Sequence, residues 1–161
     1  MRAVRGFVLA TVSLAGCGSA QIVEGNYEGR PPWVDAGRMD ASGFFGRGEA
    51  YAVSSPEARV STADAQARAL VAREVTTILR KRLVEMEIDA SVRDDAVEAL
   101  ASTVYTNTKV VARFYARDRL RQYSLARLTR EGFTERLRRV RASPEAIDAL
   151  AAAGEGIFPD G

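Results

Sequence analysis

The stretch KVVARFYARDRLRQYSLARL, residues 109–128, decides the fold of this chain. Apolar and polar side chains alternate in residues 109–117 with the period of two that is typical of a half-buried β-strand. Asp118 and Arg119 can form a two-residue turn, after which residues 120–128 return as a partner strand. The pattern therefore predicts an antiparallel β-hairpin.

The register of this hairpin follows from the length of its turn. If residue 117 pairs with residue 120, Phe114 lies opposite Tyr123 and Ala112 lies opposite Leu125, so both strands place apolar side chains on one face. The other face carries a mixture of apolar and polar side chains: Val111, Arg113, Tyr115, Arg117, Gln122, Ala126 and Leu128. We expect the C-terminal helices or a neighbouring subunit to cover that second face, since one helix covers only one face of a sheet.

Before the hairpin, residues 44–53 alternate in size. Small residues occupy one face, namely Gly46, Gly48, Ala50 and Ala52, which favours a strand that a helix can approach closely. The Gly46-Arg47-Gly48 triplet lacks the third glycine and the spacing of a dinucleotide or P-loop motif, so it does not indicate phosphate binding.

Helical spacing of apolar residues predicts four helices. The longest is expected over 62–86, behind the capping-box pattern of Ser61 and Asp64, and a shorter one over 92–104. After the hairpin, Phe133, Leu137 and Val140 indicate a short helix, and Ser143-Pro144 begins a last helix that ends at Gly154. The predicted class is therefore α+β: a small antiparallel sheet of strand, long helix and hairpin, with short helices after the long helix and at the C-terminus. This domain spans 44–154, and a flexible tail spans 155–161.

The N-terminus has the pattern of an export signal. Two arginines in residues 1–5 precede a short apolar run, which ends in small residues before the single cysteine of the chain, Cys17. The run is shorter than the roughly 20 residues that a transmembrane helix needs. We predict a signal peptide over 1–16.

The four residues Leu14, Ala15, Gly16 and Cys17 resemble the bacterial lipobox. That resemblance implies cleavage before Cys17, which then carries a thioether-linked diacylglyceryl group and an acylated amine. Several acyl chains make such an anchor effectively permanent. The alternative is an ordinary secretory signal with an unmodified cysteine. Gly18 follows the cysteine, where aspartate would favour inner-membrane retention, so we expect the outer membrane, with the domain facing the periplasm.

Residues 17–43 are predicted to form the lipidated N-terminus and a tether. Five glycines and the Pro31-Pro32 pair interrupt residues 18–43, which show no sustained apolar period. Within them lies the single tryptophan, Trp33. We expect Trp33 to cap the edge of the core, with an exposed binding tryptophan as the alternative.

Composition excludes several classes of function. The chain has 23 basic and 21 acidic residues and no histidine, and loss of Arg2 and Arg5 with the signal leaves 21 of each. A neutral domain does not favour general binding to nucleic acid. Without histidine and with one cysteine, histidine-based catalysis, disulfides and the usual zinc sites are excluded. We therefore expect no enzyme, no cofactor and no metal; Asp94 and Asp95 are better explained as charges at a helix N-terminus.

The order of these motifs resembles a known family. A lipobox, Pro-Pro-Trp-Val, a strand with Gly-Arg-Gly, a long helix and a hairpin ending in Tyr-Ser-Leu-Ala-Arg-Leu are similar to the Lpp-twenty and FlgP family of small outer-membrane lipoproteins. The resemblance covers about residues 31–140. It implies a helix on a small antiparallel sheet of dodecin-like form, self-assembly at the outer membrane, lipid attachment at Cys17, and structural roles for Pro32, Trp33, Gly46 and Gly48.

Two functions of different classes remain at this point. The first is a structural or interaction lipoprotein of the bacterial envelope that forms a homo-oligomer or binds an envelope protein, in association with flagella or another machine. The second is a monomeric lipoprotein that binds an envelope ligand. The basic triplet Arg80-Lys81-Arg82 is expected to be a solvated helix face, with acidic lipid or a protein partner as the alternative.

Overall fold

The predicted hairpin forms the centre of the observed sheet. In the computed structural model, which describes residues 20–40, 42–53, 55–155 and 157–158, its strands are Lys109–Ala116 (β3) and Arg121–Thr129 (β4), with elements numbered in chain order. Phe114 lies opposite Tyr123 and Ala112 opposite Leu125, which confirms the predicted register.

Two further strands complete a four-stranded sheet. Gly43–Ala50 (β2) pairs antiparallel with β4, and Ile22–Gly25 (β1) pairs parallel with β3, so the order is β1-β3-β4-β2. The α+β class with a long helix and a hairpin is therefore confirmed. The sheet is mixed and not antiparallel as predicted, because β1 pairs parallel with β3. The prediction missed this strand, since it assigned residues 22–25 to the tether.

Five α-helices accompany the sheet in the described part of the chain. They are Trp33–Ala36 (α1), Pro56–Glu85 (α2), Ala90–Asn107 (α3), Arg130–Leu137 (α4) and Pro144–Gly154 (α5). The long helix starts six residues before the predicted position, because the Ser55 side chain caps it and Pro56 takes the first turn. In α5, Ser143 is the N-cap, as predicted.

Helix α2 lies directly on β2, against its face of small residues. A Cβ atom added to Gly48 would lie 1.9 Å from the Ala63 carbonyl oxygen, and one added to Gly46 would lie 2.2 Å from that of Ala67. Both distances are far below van der Waals contact. The predicted close approach of a helix to this face is therefore confirmed, and only glycine fits at these two positions.

The elements that cover the two faces of the sheet differ from the prediction. The face with Ala126 and Leu128 packs under α2 and continues into a large core with α3, α4 and α5. The face with Phe114 and Leu125 is covered by Trp33 and by other residues of the N-terminal segment. The prediction that C-terminal helices or a neighbouring subunit cover the face with Ala126 and Leu128 is thus wrong, since α2 itself occupies it. Trp33 is buried, as expected.

An irregularity in β3 explains part of this arrangement. A β-bulge at Val111 shifts the register between Val110 and Ala112, so that Val110 pairs with Ala126. A bulge places successive residues on unexpected faces. Val110 therefore joins the α2 side of the core, whereas strict alternation would group it with Ala112 and Phe114.

Two predicted boundaries differ from the structure. The segment 18–43 was assigned to a tether, yet β1 is hydrogen-bonded into the sheet and Val34 is completely buried. The tail 155–161 was expected to be flexible, yet Ile157 and Phe158 are buried in the large core. The ring of Phe158 packs edge-on against Phe44, with 4.8 Å between centroids. Apolar burial fixes both segments, although neither has a regular period.

Candidate functional site

The predicted lipid site, Cys17 with Leu14, Ala15 and Gly16, lies outside the residues that the structure describes. The structure does describe the position at which the following chain joins the domain. Ala20 is the first described residue, and its carbonyl oxygen accepts a hydrogen bond from the Arg113 guanidinium. The described part of the domain therefore starts three residues after Cys17.

From Ala20 onward, the N-terminal segment is held at both of its ends. Ile22 lies opposite Arg113 at one end of β1. At the other end, the Arg117 amide donates to the Gly25 carbonyl over 2.9 Å, and the Tyr27 amide donates to a carboxylate oxygen of Asp118 over 2.8 Å. This segment is a part of the sheet and not a spacer.

A buried polar cluster lies beneath this attachment. The guanidinium of Arg113 on β3 donates two hydrogen bonds to the carboxylate of Asp64 on α2, at 3.0 and 2.6 Å. The hydroxyl of Ser124 on β4 donates to the same carboxylate over 2.6 Å. Bidentate, charge-assisted bonds of this kind fix orientation strongly. The cluster thus joins α2, β3, β4 and the Ala20 carbonyl.

The contacts of this cluster connect secondary-structure elements to one another. Ser124 is completely buried, and both oxygens of Asp64 accept hydrogen bonds from Arg113. A nucleophile needs a substrate to reach it, and a carboxylate base needs a free lone pair directed at that substrate. Burial keeps a substrate from Ser124, and the Asp64 carboxylate, which also lines a groove described below, accepts three hydrogen bonds that satisfy the buried charges.

The sequence interpretation missed this cluster because it assigned Asp64 to a capping box. One signal was present: Asp64 lies three and seven residues before Ala67 and Val71, and therefore on the buried stripe of the helix. A charged residue on such a stripe requires a partner. The partner, Arg113, is 49 positions away and could not be identified from local spacing.

The second notable surface is the outer edge of β2, which is an edge strand of the sheet. The Glu49 amide donates to the Gln66 side chain on α2 over 3.2 Å, which directs it away from β4. In an antiparallel pair, bonded and non-bonded positions alternate, so the odd-numbered residues of β2 direct their backbone groups outward. This is the arrangement of a strand edge that a further strand can join.

A groove runs along this edge, between α1 and α2. We call it the β2-edge groove; it has a volume of about 710 Å³ and is lined by residues that include Phe45, Leu70, Ile78, Arg47, Arg73 and Glu74. Partial burial raises the pKa of Glu74 above its usual range. The groove therefore combines an apolar floor, charges of both signs and an open strand edge.

A second groove lies beside the entry of the chain. We call it the anchor-side groove; it has a volume of about 570 Å³, and its lining includes Ile22, Pro56, Glu57, Val60, Arg68 and Tyr105. Its wall is formed by β1, by the first turns of α2 and by the C-terminal turns of α3. It is thus adjacent to the residues that follow the predicted lipid site.

The basic triplet of α2 is engaged by neighbouring groups. Arg80 pairs with Asp94 at 2.9 Å, Lys81 lies 3.8 Å from Glu85, and Arg82 donates to the Ala153 carbonyl over 3.2 Å. Arg80 and Lys81 suit the predicted solvated helix face, whereas Arg82 is half-buried against the end of α5, 71 positions away. The neighbouring Asp95 accepts a hydrogen bond from the Ser143 amide over 3.1 Å, so both carboxylates of the Asp94-Asp95 pair contact other elements.

Two further kinds of feature, a metal-binding cluster and a membrane-spanning helix, are absent from the described ranges. The residues there include no cluster of three or more histidine, cysteine or acidic side chains suited to a metal ion. None of their helices combines the length and the apolar character that crossing a bilayer requires.

Comparison with known proteins adds no assignment. No protein-family model matches the chain, and no curated protein matches it. The resemblance to the Lpp-twenty and FlgP family therefore stays a prediction that rests on the sequence motifs.

Proposed function

We propose that this chain is a lipid-anchored protein of the bacterial outer membrane with a structural or interaction role in the cell envelope. The observation that carries the proposal is the lipobox-like Leu14-Ala15-Gly16-Cys17, behind a charged and then apolar signal pattern. The first described residue of the folded domain, Ala20, follows three positions after Cys17. The described part of that domain has a well-packed core, and its polar cluster joins α2, β3 and β4 to the start of the chain.

We include self-assembly in this proposal, with the β2-edge groove as the contact between copies. A two-fold axis at Gly46 would pair Phe45 of one copy with Arg47 of the other and continue the sheet as an antiparallel ladder. The pairing would also bury the apolar floor of the groove. The proposal also includes an association with flagella or another envelope machine, because the resemblance to the Lpp-twenty and FlgP family implies one.

The anchor is tested by the intact mass and the partitioning of the protein from a bacterial membrane. The expected mass corresponds to a chain that begins at Cys17 and carries acyl groups, and the protein should partition into detergent. Cys17→Ser, as the control, should not be processed in this way. An N-terminus at Cys17 without acyl mass would contradict the lipoprotein proposal.

Self-assembly is tested by light scattering on the chain from residue 17 onward with Cys17→Ser. A defined oligomer supports the proposal. A clean monomer at high micromolar concentration would instead favour the monomeric ligand-binding lipoprotein, for which the anchor-side groove is the available cleft.

A further inference from the structure

The position of the domain relative to the membrane follows from the length of chain between Cys17 and the sheet. Two residues, Gly18 and Ser19, separate Cys17 from Ala20. Neighbouring Cα atoms are about 3.8 Å apart, so the Cα atoms of Cys17 and Ala20 lie within about 11 Å of each other in any conformation. The headgroup layer on one side of a bilayer is about 5 to 7 Å thick. A lipidated Cys17 therefore holds the domain against the bilayer surface.

The end of the domain that this short link brings to the membrane is defined by contacts. Ala20 is held by Arg113, and Ile22 lies opposite Arg113. The hairpin turn lies at the other end of β1, where Gly25 pairs with Ala116. The link thus leaves from the Ile22 end of the sheet edge, beside the anchor-side groove.

Exposed apolar side chains gather at this end. Of the ten large apolar side chains that are exposed in the described part of the chain, four lie on β1, β3 and α3 near the exit of the link, with Ile22 and Val23 on opposite faces of the edge strand β1. We call them the anchor-side patch: Ile22 (44% exposed), Val23 (55%), Tyr105 (39%) and Val111 (37%). Tyr105 lines the same groove as Ile22, and Val111 lies two residues from the Arg113 that pairs with Ile22. Clustering of exposed apolar groups is typical of an interaction surface.

The charges around the patch are mixed. Lys109 is exposed at the start of β3, and Glu57 lies in the groove. Arg68 donates to the Thr108 carbonyl over 3.2 Å, and Glu24 pairs with Arg117 at 2.9 Å. Attraction to anionic lipid is therefore balanced by acidic groups. Apolar contact and the covalent link, and not a basic surface, would hold this face at a bilayer.

We propose that the anchor-side patch lies in the headgroup layer of the bilayer that holds the lipidated Cys17; this inference rests on the lipidation proposed above. Tyrosine is favoured at such an interface, because its ring is apolar and its hydroxyl is hydrated. The outer edge of β1 retains backbone groups that need water or polar headgroups, which limits the depth of insertion. The domain is thus attached in one orientation, with β1 and the start of α2 at the membrane.

Helix α2, whose first turns line the anchor-side groove, also provides a control position far from that groove. The 30-residue α2 extends about 45 Å at 1.5 Å per residue. Its first turns form the anchor-side groove, whereas Val84 is exposed near its other end. Ile147 on α5 is a second exposed control, because Ser143 at the start of α5 contacts Asp95, whose neighbour Asp94 pairs with Arg80 in the far half of α2.

The experiment labels one thiol at a time in the lipidated, full-length protein. The acylated Cys17 has no free thiol and is the single cysteine of the sequence, so Val23→Cys, Tyr105→Cys, Val84→Cys and Ile147→Cys each give a unique site. Each variant is labelled with a small fluorophore and reconstituted in phospholipid vesicles that contain a headgroup-labelled nitroxide lipid. We expect quenching at positions 23 and 105 to exceed that at positions 84 and 147 at least threefold, with little change between low and high salt.

The same samples separate failure of this inference from failure of the proposed function. Intact mass and vesicle flotation report lipidation independently of quenching. Equal quenching at all four positions of floating, acylated protein would overturn the fixed orientation while the lipoprotein proposal stands. Protection of positions 23 and 105 from both nitroxide lipid and a water-soluble quencher would mean that a second copy covers the patch, which also overturns the inference. Protein without acyl mass would overturn both.

Discussion

The carboxylate of Asp64 lies 2.6 Å from the guanidinium of Arg113, and these side chains are only 11% and 10% exposed. The pair joins the long helix to the central hairpin from inside the molecule. Ser124 adds a third hydrogen bond to the carboxylate. Because each charge is removed from water, neither can lose its partner without leaving an uncompensated buried charge.

We therefore expect Asp64→Ala to lower the free energy of unfolding by about 3 to 5 kcal/mol, as measured by denaturant titration. Asp64→Ala combined with Arg113→Ala should cost less than the sum of the two single substitutions. Arg80→Ala is the control, because the Arg80–Asp94 pair is more than half exposed and should contribute less than about 1 kcal/mol. Equal losses for Asp64→Ala and Arg80→Ala would contradict this account.

The close contact between β2 and α2 gives a second prediction. In Gly48→Ala, the new methyl group would meet the Ala63 carbonyl at 1.9 Å and the Ala67 amide at 2.6 Å, both of them backbone groups that cannot rotate away. We expect a loss of about 3 kcal/mol or more, at or above the usual range for overpacking. Gly29→Ala is the matched control, since nothing lies within 4 Å of its added Cβ. Its thermal midpoint should stay close to that of the parent, and a similar drop in both variants would count against the packing explanation.

The C-terminal aromatic residue is expected to stabilise the domain. Phe158 is 5% exposed and lies between Phe44 and Phe133, with ring centroids 4.8 and 5.5 Å away. Phe158→Ala should therefore cost about 3 to 5 kcal/mol in a denaturant titration, as for other buried aromatic residues. Met39→Ala, which shortens an exposed side chain, should have little effect. A Phe158→Ala protein as stable as the parent would support the flexible tail that the sequence alone suggested.

The N-cap of α3 predicts a dependence of stability on pH. Hydrogen bonds from the Ser91 hydroxyl and amide lower the pKa of Asp89 below its usual value of 3.8. A carboxyl group whose pKa is lowered on folding stabilises the folded state above its unfolded pKa, and this stabilisation is lost as the pH falls through the folded value. Asp89→Ala should thus lower the denaturant midpoint at neutral pH, and the difference from the parent should narrow below about pH 3.8.

Ser143→Ala gives the comparison for this effect, because the Ser143 hydroxyl caps α5 and does not titrate. Its difference from the parent should stay the same across this range. A parallel narrowing in both variants would show that the pH effect does not come from Asp89.

The proposed contact between copies is tested within the β2-edge groove. Leu70→Lys places a charge on its apolar floor without breaking α2, and we expect the oligomer to dissociate in light scattering while the circular dichroism is unchanged. Val84→Lys puts the same residue on an exposed position of the same helix and should leave the oligomer intact. Oligomers of equal mass in both variants would place the contact elsewhere.

The central part of the fold could be predicted because its patterns are local. The turn predicted at Asp118 and Arg119 gave the pairing of Phe114 with Tyr123, although the strands end one residue earlier on each side than predicted, and the small residues of β2 indicated the approach of α2. The hairpin joins positions nine apart, and the pattern of small residues lies within β2 itself, so period and turn length contain enough information.

The remaining differences come from contacts between distant parts of the chain. β1 has four residues followed by Asn26, and only its pairing with β3 gives it a place in the sheet. Asp64 has the spacing of a capping residue, but a partner on β3 makes it a buried ion pair. The bulge at Val111 is a shift in the pairing of β3 with β4, and the sequence around Val111 does not indicate it.

For the candidate site, the sequence alone identified Cys17, which the structure does not test, whereas the two grooves became visible only from the assembled elements. Each groove is lined by elements that are distant in sequence. Ile22 and Tyr105, for example, meet across the anchor-side groove although 83 positions separate them.

The contact between Arg113 and the Ala20 carbonyl spans 93 positions, and it has a consequence for the order of folding. A chain made from its N-terminus presents Ile22–Gly25 first and must complete residues 109–116 before that strand has anything to pair with. The helices and the hairpin form from nearer neighbours, and closing the longer loop costs more entropy. The edge beside Cys17 therefore stays unpaired until residues 109–116 have been made, although it is among the first parts of the domain to be synthesised.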